Sequence, residues 1–311
     1  MLKKISSLYT NYFAVWVVLM GVVAYLYPKP FVSLKPCMDW FFALTMFGIG
    51  AVLEVDDFKK ISQRPGIVLT GTLAQFLIMP TGAFALAKIF KLPPEIAAGL
   101  VLTAAAPEAM SSGVISYIAK ADVAYSVSLT TVSTLLCPIC TPALTGLLVG
   151  RAVEFDFWAM VVGLFQMVIA PLLIGFGIRH YFKEKVEKVQ EIFPALSVTF
   201  IIFICSLVIA LNKNYLVMVT AAVVAADLIL NIYGMMAGYW VGVIFRMDIR
   251  KRRTLAIEIG MQNAGLGTVL ALKYFGEKAA IPTAAFVFIC IITASVMAEI
   301  WQRKPLPPSI E

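Results

Sequence analysis

Glu258-Ile259-Gly260-Met261-Gln262-Asn263-Ala264-Gly265 sets a carboxylate and two carboxamides beside two glycines in a long apolar stretch. An ionised carboxylate in hydrocarbon costs several kcal/mol, so Glu258 has to face protein or a water-filled cavity. That arrangement suits one kind of chemistry. A sodium ion requires several hard oxygens and at least one negative charge to offset its dehydration. Glu258 supplies the charge, and Gln262 stands one helical turn on. Gln75, in Leu73-Ala74-Gln75-Phe76, is an isolated amide in another apolar run. Ser126 and Thr130 are four apart in a hydroxyl-rich run and share a helix face, although such hydroxyls often bond back to their own helix. The carbonyls of Ile259 and Met261, loosened where Gly260, Gly265 and Gly267 weaken the helix, complete a possible shell.

Two further acids fall in apolar segments. Glu108 follows Pro107 in Pro107-Glu108-Ala109-Met110-Ser111-Ser112-Gly113. Proline removes a helical hydrogen bond and clashes with the preceding turn, so this segment is expected to unwind. Asp227 lies one turn before Asn231, and the two either bond to each other or serve a site.

These residues have to be positioned by membrane-spanning helices. The chain is 61% hydrophobic and 14% charged, far from the roughly 45–50% and 25% of soluble domains. Mean hydropathy is +0.90. Ten apolar segments are expected, roughly 10–27, 36–54, 66–88, 95–119, 123–150, 156–180, 193–212, 215–245, 252–273 and 279–301. The first is read as a span and not as a cleaved signal, for want of a small-residue cleavage site. Ten spans put both termini on one side. The richer share of the 25 Lys and Arg, including Lys3, Lys4, Lys59, Lys60, Arg64, Arg179, Arg250 to Arg253, Arg303 and Lys304, marks that side as cytoplasmic. The net charge of +7 is thereby explained without a nucleic-acid partner.

The five cysteines form no disulfide framework. Cys137-Pro-Ile-Cys140 is read as small residues at a proline bend. The single histidine and the lack of a Gly-x-Ser-x-Gly stretch argue against an enzyme. Set with Leu92 over Met247, the segments around Glu108 and Glu258 share a layout: basic or proline-rich start, apolar run, polar interruption, apolar run, lysine. Residues 1–150 and 151–311 thus read as two five-span repeats, and an odd number of spans per half makes them inverted.

The runs Glu258 to Leu266, Leu73 to Pro80, Pro107 to Leu144 and Lys91 to Leu100 resemble the bile acid:sodium symporter family, especially its bacterial members. The resemblance implies an all-α protein with a panel domain, about 10–54 and 156–212, rocking against a core domain, about 66–150 and 215–301. Spans four and nine would unwind and cross within the core. It implies one sodium site at Ser112, Ser126, Thr130 and Glu258, and a second at Gln75, Glu258, Gln262 and the carbonyls of Ile259 and Met261. Met110, Ser111, Asn263, Cys290 and Thr293 would face the substrate. Two departures bear on this. Gly113 stands where an asparagine ligand is expected, with Glu108 a candidate replacement. Met110, Cys290 and Ile291 make the crevice less polar, favouring a bile acid-like or other amphipathic carboxylate.

The function expected is sodium-coupled import of an organic anion by alternating access, with no cofactor beyond the coupling ion. The alternative is proton coupling through Glu108 in the same fold. The protein is expected to be a monomer in the bacterial cytoplasmic membrane.

Overall fold

The computed structural model describes residues 13–303 except 57–58, 60–64, 190–191 and 214–215. Lys3, Lys4, Lys60, Arg64 and Lys304, used above to orient the chain, lie outside the described residues.

The described chain is helical. Helix α1 (Phe13–Leu26), the short α2 (Lys29–Ser33) and a tight turn at Lys35–Cys37 lead into α3 (Met38–Gly50). Next come α4 (Pro65–Ile89), α5 (Pro94–Ala105), α6 (Ser112–Ile118) and α7 (Val123–Val149). Helix α8 (Phe157–Leu164) continues through a π-helical turn, Phe165–Ile169, into α9 (Ala170–Tyr181). The chain closes with α10 (Lys183–Val189), α11 (Phe193–Leu211), α12 (Leu216–Ile244), α13 (Ile249–Gly260), α14 (Ala264–Tyr274) and α15 (Ala280–Arg303). Among the described residues, five helices are long and apolar enough to cross a membrane: 65–89, 123–149, 157–181, 221–244 and 280–303.

The surface is built for lipid. Leu69, Leu73 and Leu77 form an exposed stripe along α4, while Thr72 and Gln75 on its other side are buried. In a bilayer the hydrophobic effect gives helices no reason to associate, so close packing of small residues takes over. Gly50 and Gly175 bring the backbones of α3 and α9 into contact, and Gly238 seats α12 on Leu255 of α13. Helices α1, α3, α9 and α11 pack on one another, as do α4, α5, α7 and α12 to α15. Helix α8 against α7, α3 against α14, and α11 against α14 and α15 join the two groups.

Both expected interruptions are present. Ala106 takes extended angles (φ −68°, ψ 157°), because the residue before proline is excluded from the helical region. Helix α5 therefore stops at Ala105 and α6 starts at Ser112. In the second half, Met261 is extended (φ −105°, ψ 109°), and Asn263 Oδ1 restarts the helix by accepting from the Leu266 N–H at 3.1 Å. The glycines do not make this break: α13 is helical through Gly260, and Gly265 and Gly267 lie inside α14. Arg253, counted above among the basic residues that mark the cytoplasmic side, is buried in α13 and donates to the carbonyls of Ala119 and Trp301. Cys137 and Cys140 are free thiols in α7, with Pro138 inside the helix between them.

Candidate functional site

The two breaks cross. Ala109 N–H donates to the Met261 carbonyl and Asn263 N–H to the Pro107 carbonyl, each at 2.8 Å, in a single antiparallel bridge between Glu108 and Gln262. Backbone freed at membrane depth must find partners, because none comes from lipid. Thr141 of α7 donates to the Ala105 carbonyl (2.6 Å) and Gln75 Nε2 to that of Ala106 (3.2 Å). On the other strand, Gln262 Nε2 donates to the Ile259 carbonyl and Asn231 Nδ2 to that of Gly260, both at 2.8 Å. The polar residues that look out of place in the sequence are thus the donors that hold the breaks open.

The side chains assemble around the same point. Glu258 is fully buried. Its Oε1 accepts from Ser126, and its Oε2 accepts from Thr130 at 3.0 Å. Ser112 Oγ lies 3.4 Å from Thr130 Oγ1, so Ser112, Ser126, Thr130 and Glu258 form one cluster drawn from α6, α7 and α13. One turn on, the carboxamides of Gln75 and Gln262 pair reciprocally, Nε2 to Oε1, at 2.5 and 3.2 Å. The Ile259 carbonyl, which accepts from Gln262, adds an oxygen to this pair, and the Met261 carbonyl accepts from the Ala109 N–H of the bridge. Each carbonyl and carboxamide oxygen has two lone pairs, so the bonds described leave acceptor capacity.

Glu108 is buried beside Glu258. Its Oε2 accepts from Ser133, while Oε1 has no hydrogen-bond partner among the described residues. Ser126, Thr130 and Ser133 follow one another along one face of α7, which therefore presents hydroxyls to both carboxylates. Ser133 is the residue sequence reasoning missed; its i+3 spacing from Thr130 was the available signal. Gly113 leaves open room here: a Cβ at that position would meet nothing nearer than Ser126 Oγ, at 3.9 Å.

The expected substrate residues are less convergent. Met110 and Gly113 line a cavity of about 150 Å³, with Ser126, Thr130 and Thr131 on one wall and Met46, Ile49 and Leu172 of α3 and α9 on the other. Ser111 is exposed. Asn263 is half-buried and spends its carboxamide oxygen as the cap of α14. Cys290 is buried on α15, where it donates to the Val287 carbonyl, and Thr293 donates to those of Ile289 and Cys290. Of the five, Met110 alone lines the cavity.

The profile of the Sodium Bile acid symporter family matches residues 40–219. An uncharacterized sodium-dependent transporter of Bacillus subtilis, YocS, is 33% identical over 303 residues, 97% of this chain and 94% of its own. The probable chloroplastic sodium/metabolite cotransporter BASS1 of Arabidopsis thaliana is 35% identical over 296 residues, 94% of this chain and 73% of its own. BASS2 of rice, with the same description, is 32% identical over 309 residues, 98% and 73% of the two chains. With a family match over more than half of its length and this similarity to sodium-dependent transporters, the chain belongs to the Sodium Bile acid symporter family and is a transporter, not an enzyme.

Proposed function

We propose that this protein is a sodium-coupled secondary transporter that imports an organic anion by alternating access. The observation that carries the reading is Glu258. It is a buried carboxylate at the crossing of two broken helices, held by two hydroxyls, with no Lys or Arg paired to it among the described residues. Such a charge calls for a mobile cation. One sodium ion binds at Ser112, Ser126, Thr130 and Glu258, with Glu108 standing in for the side chain that Gly113 lacks. A second binds at Gln75, Glu258, Gln262 and the carbonyls of Ile259 and Met261. The sodium-dependent descriptions of the relatives support the choice of ion.

The helix grouping supports a panel of α1, α3, α8, α9 and α11 moving against a core of α4 to α7 and α12 to α15. The two halves act as inverted five-span repeats in the bacterial cytoplasmic membrane, with both termini inside. The cavity between the groups, lined by Met110, is where the substrate enters, and Ser111, Asn263, Cys290 and Thr293, which do not line it in this structure, are its further contacts once it widens. Its apolar wall suits an amphipathic carboxylate, bile acid-like or otherwise. At about 150 Å³ it is smaller than the roughly 300–1,000 Å³ of ligand sites, so α3 and α9 have to draw back from α7 for a large substrate to bind. Each net positive charge entering across 100 mV releases ~2.3 kcal/mol, and each tenfold sodium gradient adds about 1.4 kcal/mol per ion.

A thermal-stability screen of organic anions with and without sodium tests this directly. A ligand that binds the native state raises its melting temperature. The expected result is an anion that stabilises in sodium and not in potassium. Equal stabilisation in both salts contradicts sodium coupling. The free Oε1 of Glu108 favours one second reading, proton coupling through that residue. Uptake of the identified anion by Glu108→Gln separates the two: coupling to protons is lost on substitution, whereas a sodium ligand changes the sodium requirement and leaves the pH profile in place.

A further inference from the structure

Asp227 has no part in the site above. It is fully buried in α12, and neither carboxylate oxygen has a hydrogen-bond partner among the described residues. One turn on, Asn231 is also fully buried. Its Nδ2 holds the Gly260 carbonyl at 2.8 Å, while its Oδ1 accepts nothing from the described residues. The sequence allows these two side chains to bond to each other, yet the Asn231 amide is turned to α13 instead. Residues four apart on a helix lie side by side, so three acceptor oxygens collect in a dry place without a donor. Helix α12 packs on α4, α13 and α15, and of the titratable groups these carry, the Cys290 thiol of α15 lies close enough to interact with Asp227, while no Lys or Arg pairs with it among the described residues. An ionised carboxylate left so would cost several kcal/mol.

Something positive has to be there, and the geometry selects among candidates. Helix α12 runs unbroken from Leu216 to Ile244, so its carbonyls are engaged in the helix itself. Three side-chain oxygens fall short of the six or so that a hard cation takes. A proton is satisfied by two. We propose that Asp227 and Asn231 form a proton-binding site. The Asp227 carboxyl keeps its proton and donates it to Asn231 Oδ1, which fixes the Asn231 amide on the Gly260 carbonyl. Gly260 is the last residue of α13 and lies two residues past Glu258. Asp227 is therefore a positioning residue, acting through Asn231 on the helix end that carries the cation-binding carboxylate. That positioning role rests on the sodium reading above; the protonation does not.

Infrared difference spectra of the full-length protein against Asp227→Asn, in sodium-free buffer at neutral pH, read the protonation itself. The wild type is expected to show the carbonyl stretch of a protonated acid that Asp227→Asn lacks. Asn231→Ala supplies a second reference, because it shifts the same band by removing the proton's acceptor. If neither substitution alters a protonated-acid band, the site is overturned. Sodium-dependent thermal stabilisation, with choline replacing sodium, reads the positioning role. Asp227→Asn, whose amide replaces the proton as donor, is expected to keep the wild-type sodium midpoint. Asn231→Ala is expected to raise it about tenfold, as loss of an outer hydrogen-bonding partner does at metal sites. A wild-type midpoint in Asn231→Ala removes the positioning role. A complete loss of the sodium response in Asp227→Asn makes Asp227 a cation ligand and overturns the proton. A wild type blind to sodium defeats the sodium reading, and the infrared result still decides the proton.

Discussion

Three hydroxyls on one face of α7 serve two carboxylates, and each member of this set can be removed singly. A hydrogen bond to a charged group contributes about 1.5–3 kcal/mol, and ~1.4 kcal/mol is tenfold in binding. Ser126→Ala, which removes a donor from Glu258 and a ligand from the proposed first sodium site, is expected to raise the sodium midpoint of thermal stabilisation tenfold or more. Gly113→Asn is expected to lower it, since the new side chain enters open space beside Ser126. An unchanged midpoint in both would remove that cluster from the site. Glu258, Gln262 and Gln75 are legible in the sequence because polar groups are costly among apolar neighbours. Ser133 is not, because hydroxyls in helices so often bond to their own backbone, and Ser133 does that too, donating to the Thr130 carbonyl at 3.2 Å.

The two breaks are where sequence and structure agree best among the elements. Pro107 ends α5 by a local steric rule that needs no tertiary information. The restart at Asn263 follows from a side chain well suited to capping, and Asn263→Ala is expected to cost about 1 kcal/mol of stability, read as a lowered melting temperature in sodium-free buffer. If Asn263 served substrate alone, stability would not change. The start of α13 is capped in the same way by Asp248, which accepts from the backbone N–H groups of Arg250 and Lys251. Burial raises the pKa of this carboxyl, but hydrogen bonds and charge from Lys251 outweigh it and hold the group below its ordinary range. The π-helical turn at Phe165–Ile169 and the burial of Arg253 leave no mark in the sequence, because both depend on neighbours distant in the chain.

Among the described residues, a set of polar contacts joins the two helix groups on one face. Lys273 pairs with Asp39 at 2.5 Å and Lys35 with Glu277 at 3.3 Å. Tyr274 donates to the Ala159 carbonyl (2.9 Å) and Asn212 to that of Glu277 (3.0 Å). On the other face, Arg179 pairs with Glu54 and Glu187 inside one group, and Lys251 with Asp122 inside the other. Exposed pairs contribute about 0–1 kcal/mol each, weak enough to break and re-form under the proposed alternating access. Under the proposed topology the joined face is the outer one. In a Cys37→Ser background, Asp39→Asn is expected to make Gly113→Cys more reactive toward an impermeant thiol reagent added outside. No change in labelling would place the gate elsewhere. The composition made a helical membrane protein legible, but pairs far apart in sequence, such as Lys273 with Asp39, left no mark in it.

Binding of radiolabelled sodium to the purified protein, wild type against Glu258→Gln, tests the proposed coupling at its root. The wild type is expected to retain sodium saturably against excess potassium, and Glu258→Gln to retain none, because both sites share that carboxylate. Equal retention by the two proteins, or displacement of sodium by potassium at matched concentration, would contradict it.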